Sequence, residues 1–166
     1  MNVLIILSLV LLLILFPFLI GGISGAIFFP TKKKLIGKAI RLAKINKSDE
    51  VVDLGSGDGR FLFEACQFCK YVIGYEIHPG LVLYSKVKIL LNGYKNVSVF
   101  FKDFWSVDLS KYDVIFVFLY PSKMKRLEDK IINEVTSGTR VISYAFELPN
   151  LKHKSKTKDG LYLYEV

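Results

Sequence analysis

Two kinds of hydrophobic pattern alternate along the chain from about residue 50 onward. Short apolar runs of strand length are followed by stretches in which apolar residues recur at helical spacing, and glycine or polar turns separate them. The predicted elements are a strand Glu50–Leu54, a helix Arg60–Cys69, a strand Tyr71–Tyr75, a helix Leu81–Leu91 and a strand Val97–Phe101. This β-α-β-α-β order is typical of a parallel sheet.

The pattern continues through the second half of the chain. The run from Asp113 to Leu119 is almost wholly apolar, as expected of a central strand covered on both faces. Pro121-Ser122 begins a predicted helix that reaches about Val135, and Thr139–Phe146 is a predicted fifth strand.

The C-terminal tail has a different pattern. Leu151–Thr157 and Leu161–Val166 flank Asp159-Gly160, a dipeptide typical of hairpin turns. We therefore predict an α/β fold, doubly wound around a mostly parallel sheet, with an antiparallel hairpin at one edge.

The first thirty residues are unlike the rest. Met1–Pro30 has no charged side chain, and Val3–Ile20 is Leu, Ile, Val and Phe except at Ser8 and Pro17. Since about twenty apolar residues cross a bilayer as a helix, residues 1–30 are predicted to be a transmembrane anchor. A cleaved signal peptide and a buried core helix are the alternatives, but the charged start of a signal peptide is missing.

A basic segment, residues 31–48, follows the predicted anchor. Its apolar residues recur at helical spacing, which predicts an amphipathic helix with Thr31 as its N-cap. The basic side chains are Lys32, Lys33, Lys34, Lys38, Arg41, Lys44 and Lys47. The third predicted unit is the domain formed by residues 49–166.

The distribution of charge predicts the orientation and the partner of the basic segment. Lys and Arg directly after a span favour its C-terminal side facing the cytoplasm, or the matrix of a mitochondrion. The formal net charge of +8 suits anionic lipid headgroups. Nucleic acid could use the same charges, but lipid is the simpler partner beside a span.

The two cysteines, Cys66 and Cys69, have C-x-x-C spacing. They lie late in a predicted helix, where the helix dipole does not lower a thiol pKa, and the chain has no second Cys pair. His78 and His153 are isolated in the sequence. We expect reduced, packed cysteines and no metal site.

A glycine-rich turn, Asp53-Leu54-Gly55-Ser56-Gly57-Asp58-Gly59, joins the first predicted strand to the first helix of the domain. Ligands bind at such turns in open α/β sheets, where glycine allows close approach. Asp53 and Asp58 would repel the phosphates of a dinucleotide, and Arg60 replaces the third glycine of that fingerprint. Two acids suit a cation, so the turn predicts S-adenosylmethionine (SAM), which has an ammonium and a sulfonium group.

Two more strand ends carry candidate cofactor ligands. Glu76 closes the second strand, where an acid accepts hydrogen bonds from both ribose hydroxyls of a nucleoside. Asp103 follows the third strand and could accept a bond from the adenine amino group, while Phe104 or Trp105 covers the ring. Core packing is the alternative for Trp105.

The end of the fourth strand, Leu119-Tyr120-Pro121, lies where a methyl acceptor would bind. Adenine-N6 enzymes have a polar residue, Pro-Pro and an aromatic residue here, and cytosine-C5 enzymes have a Pro-Cys nucleophile. This chain has neither, which disfavours methylation of nucleic-acid bases.

Five segments together resemble one family of Rossmann-like methyltransferases, whose fold contains a seven-strand sheet. This domain would be a short form of that fold. They are Pro30-Thr31, Val51–Arg60, Gly74-Tyr75-Glu76, Asp103-Phe104-Trp105 and Phe118-Leu119-Tyr120-Pro121. The chain is similar there to the lysine methyltransferases of the ATP synthase c subunit and the adenine nucleotide translocase. The resemblance implies that Thr31 folds over the cofactor and that Tyr120 lines the acceptor channel.

The expected function is therefore SAM-dependent N-methylation of a lysine side chain in a membrane protein, with Tyr120 at the reacting end. Methyl transfer needs a neutral amine, so desolvation and positioning are expected to suffice without a dedicated base. The alternative is a SAM-dependent methyltransferase for a lipid, a small amphiphile or nucleic acid.

Overall fold

Seven strands form one mixed sheet in the computed structural model, which describes Ser8 and residues 31–166. The strands are β1 Glu50–Leu54, β2 Tyr71–Glu76, β3 Val97–Phe101, β4 Val114–Val117, β5 Arg140–Tyr144, β6 Ser155–Lys156 and β7 Leu161–Glu165. Their order across the sheet is β3-β2-β1-β4-β5-β7-β6. Strands β1 to β5 are parallel, and β7 is antiparallel to β5 and to β6. The predicted parallel sheet with an antiparallel hairpin at its edge is confirmed.

Helices cover both faces of the sheet. They are α1 Lys33–Leu42, α2 Arg60–Ala65, α3 Pro79–Asn92 and α4 Pro121–Glu134. Buried side chains of α1, α2 and α3 pack in one apolar cluster on one face, and those of α4 pack in a second cluster on the other. The fold is thus the doubly wound α/β arrangement that the hydrophobic pattern predicts.

The basic segment is helical over a shorter stretch than predicted. Helix α1 begins at Lys33 with Lys32 as its N-cap residue, so the prediction of Thr31 as N-cap is wrong. The apolar face is confirmed, with Leu35, Ile36, Ala39 and Ile40 buried. These side chains belong to the same cluster as residues of β1, β2 and β4, so α1 packs on the sheet.

The predicted anchor, residues 1–30, lies outside the described residues apart from Ser8. Within the part that the structure describes, no helix combines the length and the apolar character needed to cross a membrane.

The sheet order places the predicted site residues along one edge. Strands β2 and β4 lie on opposite sides of β1, so the strand order reverses at β1. In open α/β sheets, ligands bind at the carboxyl ends of the strands beside such a reversal. Asp53 of β1 is in register with Gly74 of β2 and Phe116 of β4. Glu76 is the last residue of β2, so both acids lie near that edge.

Candidate active site

The glycine turn after β1 folds back onto the end of β2. Gly55, Gly57 and Gly59 have φ angles of 94°, 55° and 76°, in the left-handed region that glycine adopts without a steric penalty. The Gly55 and Ser56 amides both donate to the Tyr75 carbonyl, at 2.9 and 3.0 Å. The turn is therefore held as a fixed cradle by the backbone of the neighbouring strand.

The hydrogen bonds of this turn make it unlike a phosphate-binding loop. Such a loop presents unused amide groups to the anion. Here the Gly57 amide donates to the Glu76 carboxylate at 2.8 Å, and the Gly59 amide donates to the Ser56 carbonyl at 2.9 Å. With Gly55 and Ser56 committed to Tyr75, the turn keeps few donors for a phosphate, which agrees with the exclusion of dinucleotides from sequence.

Asp53 is the most unusual group of the site. The residue is only 4% exposed, and the acids Glu76 and Asp58 lie close enough to affect its charge. Burial, followed by the nearby charges of Glu76 and Asp58, raises the pKa of Asp53 well above 3.8. A charge buried beside two other acids is costly, so this position favours a bound cation.

Asp58, by contrast, is already neutralised. Arg60 donates to both of its carboxylate oxygens, at 2.8 Å from Nε and 2.6 Å from Nη2. Burial alone would raise the pKa of Asp58, but the hydrogen bonds and charge of Arg60 outweigh it and lower the pKa. Arg60 also donates to the Thr31 carbonyl at 3.1 Å, which ties the start of the described chain to the turn. The structure thus separates two acids that look alike in the sequence.

Glu76 organises the backbone around it. One carboxylate oxygen accepts from the Ile77 and His78 amides and the other accepts from Gly57, each at 2.8 Å. These bonds hold a buried carboxylate in one orientation at the end of β2. A carboxylate has about four acceptor positions, so it can still accept from a ribose hydroxyl.

Ser56 and Gly74 show how the turn is packed on β2. Ser56 is buried, and its hydroxyl has no partner in the described chain. A Cβ atom added at Gly74 would lie 2.5 Å from the Ser56 hydroxyl and 2.7 Å from Leu62. The small residue in β2 therefore makes room for the Ser56 side chain beneath the turn.

The segment after β3 presents one polar group and one exposed aromatic ring. Asp103 is exposed, and its carboxylate accepts from the Trp105 amide at 3.0 Å, which caps a short 3-10 turn at Phe104–Ser106. Phe104 is buried in the core, whereas Trp105 is half-buried and stacks 4.1 Å from the guanidinium of Arg126. Of the two rings, Trp105 is the better placed to contact a ligand.

The ends of β4 and β5 carry aromatic side chains at the expected acceptor side. Tyr120 is 39% exposed and is the N-cap residue of α4. The rings of Phe118 and Tyr144 lie 4.7 Å apart between their centroids. Directly after β5, Ala145 has a φ of 68°, a left-handed conformation that is strained for a residue with a Cβ atom.

Two groups with reactive side chains have structural roles here. The His78 ring accepts from the Leu81 amide at 3.3 Å and so caps α3. Cys66 and Cys69 are buried free thiols, and burial raises the pKa of Cys69 to about 11. A raised pKa keeps the thiol protonated at neutral pH, so neither cysteine is an activated nucleophile.

These features fit a cofactor that brings a cation and a ribose to the same turn. Asp53 would hold the cationic end, Glu76 would hold the ribose, and Asp103 and Trp105 lie after the next strand, where an adenine would end. Three further residues of the site, Arg60, Gly74 and Arg126, were not predicted to have a role there. Their roles depend on contacts with segments distant in the sequence, and only the folded chain shows these contacts.

Comparison with known proteins is consistent with this site. Residues 53–155 match the ANTKMT methyltransferase domain family. A protein-lysine N-methyltransferase of Saccharolobus islandicus is 32% identical over 149 residues, 84% of this chain and 92% of the relative. The mouse lysine N-methyltransferase of the ATP synthase c subunit is 31% identical over 135 residues, 81% of this chain but only 54% of the relative's length.

A solved structure shows the same fold. An RNA methyltransferase of Salinibacter ruber, in complex with S-adenosylhomocysteine, matches with a TM-score of 0.78 and 27% identity. The match covers 82% of this chain and 93% of that structure. The family match spans the glycine turn, Glu76, Asp103 and Tyr120, and it confirms the resemblance noted in the sequence. The chain belongs to the ANTKMT methyltransferase domain family.

Proposed function

We propose that this protein is a SAM-dependent protein-lysine N-methyltransferase that acts on a membrane-associated protein. The observation that carries the proposal is the contrast between two strand ends at one edge of the sheet. The buried Asp53, beside two other acids, lies on one side, and the exposed Tyr120 lies on the other. The first suits a cationic methyl donor, and the second suits an amine acceptor.

The cofactor follows from the charge of the turn and from the family. The Salinibacter structure contains S-adenosylhomocysteine, the product that remains when SAM has given up its methyl group. Bound SAM supplies an electrophilic methyl group on a sulfonium. Asp53 would place a negative charge next to that end of the cofactor, and the committed amides of the glycine turn leave few donors for a phosphate.

Acceptor chemistry at this site depends on solvent exclusion and positioning. A free lysine has a pKa near 10.4, and forming its neutral amine at pH 7 costs about 4 to 5 kcal/mol. Once a substrate covers this edge, the aromatic rings of Phe118, Tyr120 and Tyr144 would reduce the hydration of its ammonium group and so disfavour the charged form. His78 caps α3 and is therefore not available as a base.

The proposed substrate class rests on the named relatives. The relatives that match most of this chain are named as protein-lysine methyltransferases, and the name of the mouse relative gives a subunit of ATP synthase as its substrate. Because the chain spans little more than half of that mouse protein, the substrate of this chain is a proposal.

Attachment to a membrane is a further part of the proposal. The uncharged residues 1–30 and the basic residues after them support a single span, with the domain on the cytoplasmic side, or the matrix side in a mitochondrion. Sharing one surface with a membrane substrate raises its effective concentration. Removal of residues 1–30 should then spare methylation of a soluble peptide and impair that of a membrane protein. Equal loss on both would contradict attachment.

The test of the function follows the methyl group. Full-length protein is incubated with radiolabelled SAM and membranes of its source, and label is counted separately in protein, lipid and RNA fractions. We expect label in protein, on lysine after acid hydrolysis. Heat-denatured protein gives the background, and Asp53→Asn should give less label than the unsubstituted protein. Label confined to lipid or RNA would replace this proposal by the alternative acceptor class.

A further inference from the structure

Helix α3 exposes an apolar stripe on the side that faces away from the sheet. Leu83, Leu90 and Leu91 are 64%, 80% and 78% exposed, and Tyr84 and Val87 lie between them. At about 100° of rotation per residue, these five side chains fall within an arc of about 120°. The opposite side of the helix contributes Val82 and Ile89 to the core. The helix is therefore apolar on both sides, although one side is open to solvent.

Basic side chains flank this stripe. Helical rotation places Lys86 on one side of the arc and Lys88 on the other, and α3 contains no Asp or Glu. An apolar arc between lysines is the pattern of a helix that lies in a membrane interface, with its lysine ammonium groups reaching the lipid headgroups.

The stripe belongs to the same layer of helices as the point where the predicted anchor enters. Helices α1 and α3 lie on either side of α2, because Lys33 pairs with Glu64 at 2.8 Å and Lys88 lies 4.3 Å from the ring centre of Phe63. The apolar segment 1–30 joins this layer just before α1. A bilayer that lies along this helix layer would contact the exposed face of α3 together with the exposed Lys32, Lys33 and Lys34 at the start of α1.

We propose that the exposed face of α3, formed by Leu83, Tyr84, Val87, Leu90 and Leu91, rests in the headgroup layer of an anionic bilayer. Contact with a second copy is disfavoured, because two such faces would bring four lysines together without an acid from either helix. The bilayer contact would set the orientation of the domain relative to the membrane. This surface goes beyond the proposed function and does not depend on the acceptor.

The test measures lipid contact directly and does not use methyl transfer. Leu90→Cys and Leu83→Cys variants of the full chain are labelled with an environment-sensitive fluorophore, and Ile132→Cys on the exposed side of α4 is the matched control. Each is bound to vesicles of phosphatidylcholine and phosphatidylglycerol. Unsubstituted protein, whose two cysteines are buried, gives the labelling blank. SAM binding by calorimetry verifies that each labelled variant is folded.

Brominated acyl chains should quench most of the emission from the probes on α3 and little from the probe on α4, whereas aqueous iodide should do the reverse. Quenching of the α3 probes by iodide alone would overturn the proposal, and so would a lack of vesicle binding. Shielding of these probes from both quenchers would also overturn it, since protein rather than lipid would then cover the face.

Discussion

The two halves of the carboxyl edge are built in different ways. At β1 and β2, backbone amides of the turn are hydrogen-bonded to Tyr75 and Glu76, and the key carboxylates are buried. At β4 and β5, the exposed Tyr120, the half-buried Phe118 and Tyr144 and the strained Ala145 line the edge. The first half is organised before any ligand arrives, and the second is open to solvent. The difference is what an enzyme needs when one ligand is always the same and the other is part of a large molecule.

The largest expected effect comes from removing the charge on the organised side. Asp53→Asn keeps the shape of the side chain and removes a charge-assisted bond, so SAM affinity should fall by about 1.5 to 3 kcal/mol, roughly 10- to 150-fold. The unliganded variant should unfold at a higher temperature at pH 7, because a charge buried beside Glu76 and Asp58 is lost. Calorimetry and thermal unfolding measure the two effects. Asp129→Asn, at an exposed position of α4 outside the site, is the control, and a loss of stability in Asp53→Asn would contradict this view of Asp53.

A change on the open side should affect transfer and leave cofactor binding unchanged. Tyr120→Ala removes a ring beside the acceptor, and a poorly placed amine costs up to about 100-fold in rate. We expect kcat to fall about 10- to 100-fold with the SAM Kd unaltered, since Tyr120 lies across the edge from the glycine turn. Tyr120→Phe is the matched control and should keep most of the rate. A large loss in the Phe variant would assign an essential role to the hydroxyl.

The dependence on pH should come from the organised side as well. Burial first, then Glu76 and Asp58, raise the pKa of Asp53, so its carboxylate is protonated over a wider acidic range than a free Asp. SAM affinity should therefore increase as pH rises through that raised pKa. In the unliganded protein the folded state binds the extra proton, so stability should fall over the same range. Calorimetry and unfolding across pH test both trends, and Asp53→Asn should remove them.

The smallest expected effect concerns the strained residue on the open side. Ala145→Gly removes the Cβ atom from a left-handed conformation and should stabilise the fold by about 0.5 to 1 kcal/mol in urea unfolding. Gly160→Ala is the matched opposite, because Gly160 has a φ of 80° and its carbonyl accepts from the Ala145 amide. Destabilisation by both substitutions would show that Ala145 is not strained.

The fold was largely predictable because its strands are set by local pattern. The predicted bounds of β1 and β3 agree with the structure, and the hairpin turns at Asp159-Gly160 as expected. The helix predicted to reach Cys69 ends at Ala65, since the chain turns to begin β2 at Tyr71. Local pattern does not show how soon the next strand must start.

The site was predictable in its residues and less so in their roles. Asp53 and Asp58 look equivalent in sequence, but only Asp58 lies within reach of Arg60. Phe104 and Trp105 are neighbours, yet the core takes Phe104 and leaves Trp105 against Arg126. Such differences arise from tertiary contacts, which spacing along the chain does not show.

The burial of the Asp53 carboxylate beside two other acids also affects how much folded protein a cell keeps. A ligand that binds only the folded state stabilises it by about 2.7 kcal/mol at a concentration 100 times its Kd. Without bound cofactor, the buried charge of Asp53 lowers the free energy of unfolding. A bound cation removes this destabilisation. When the methyl donor is scarce, a larger share of the chains will unfold and be degraded. The abundance of this protein should then follow the supply of its cofactor, so that starvation lowers both the methyl donor and the catalyst of methylation.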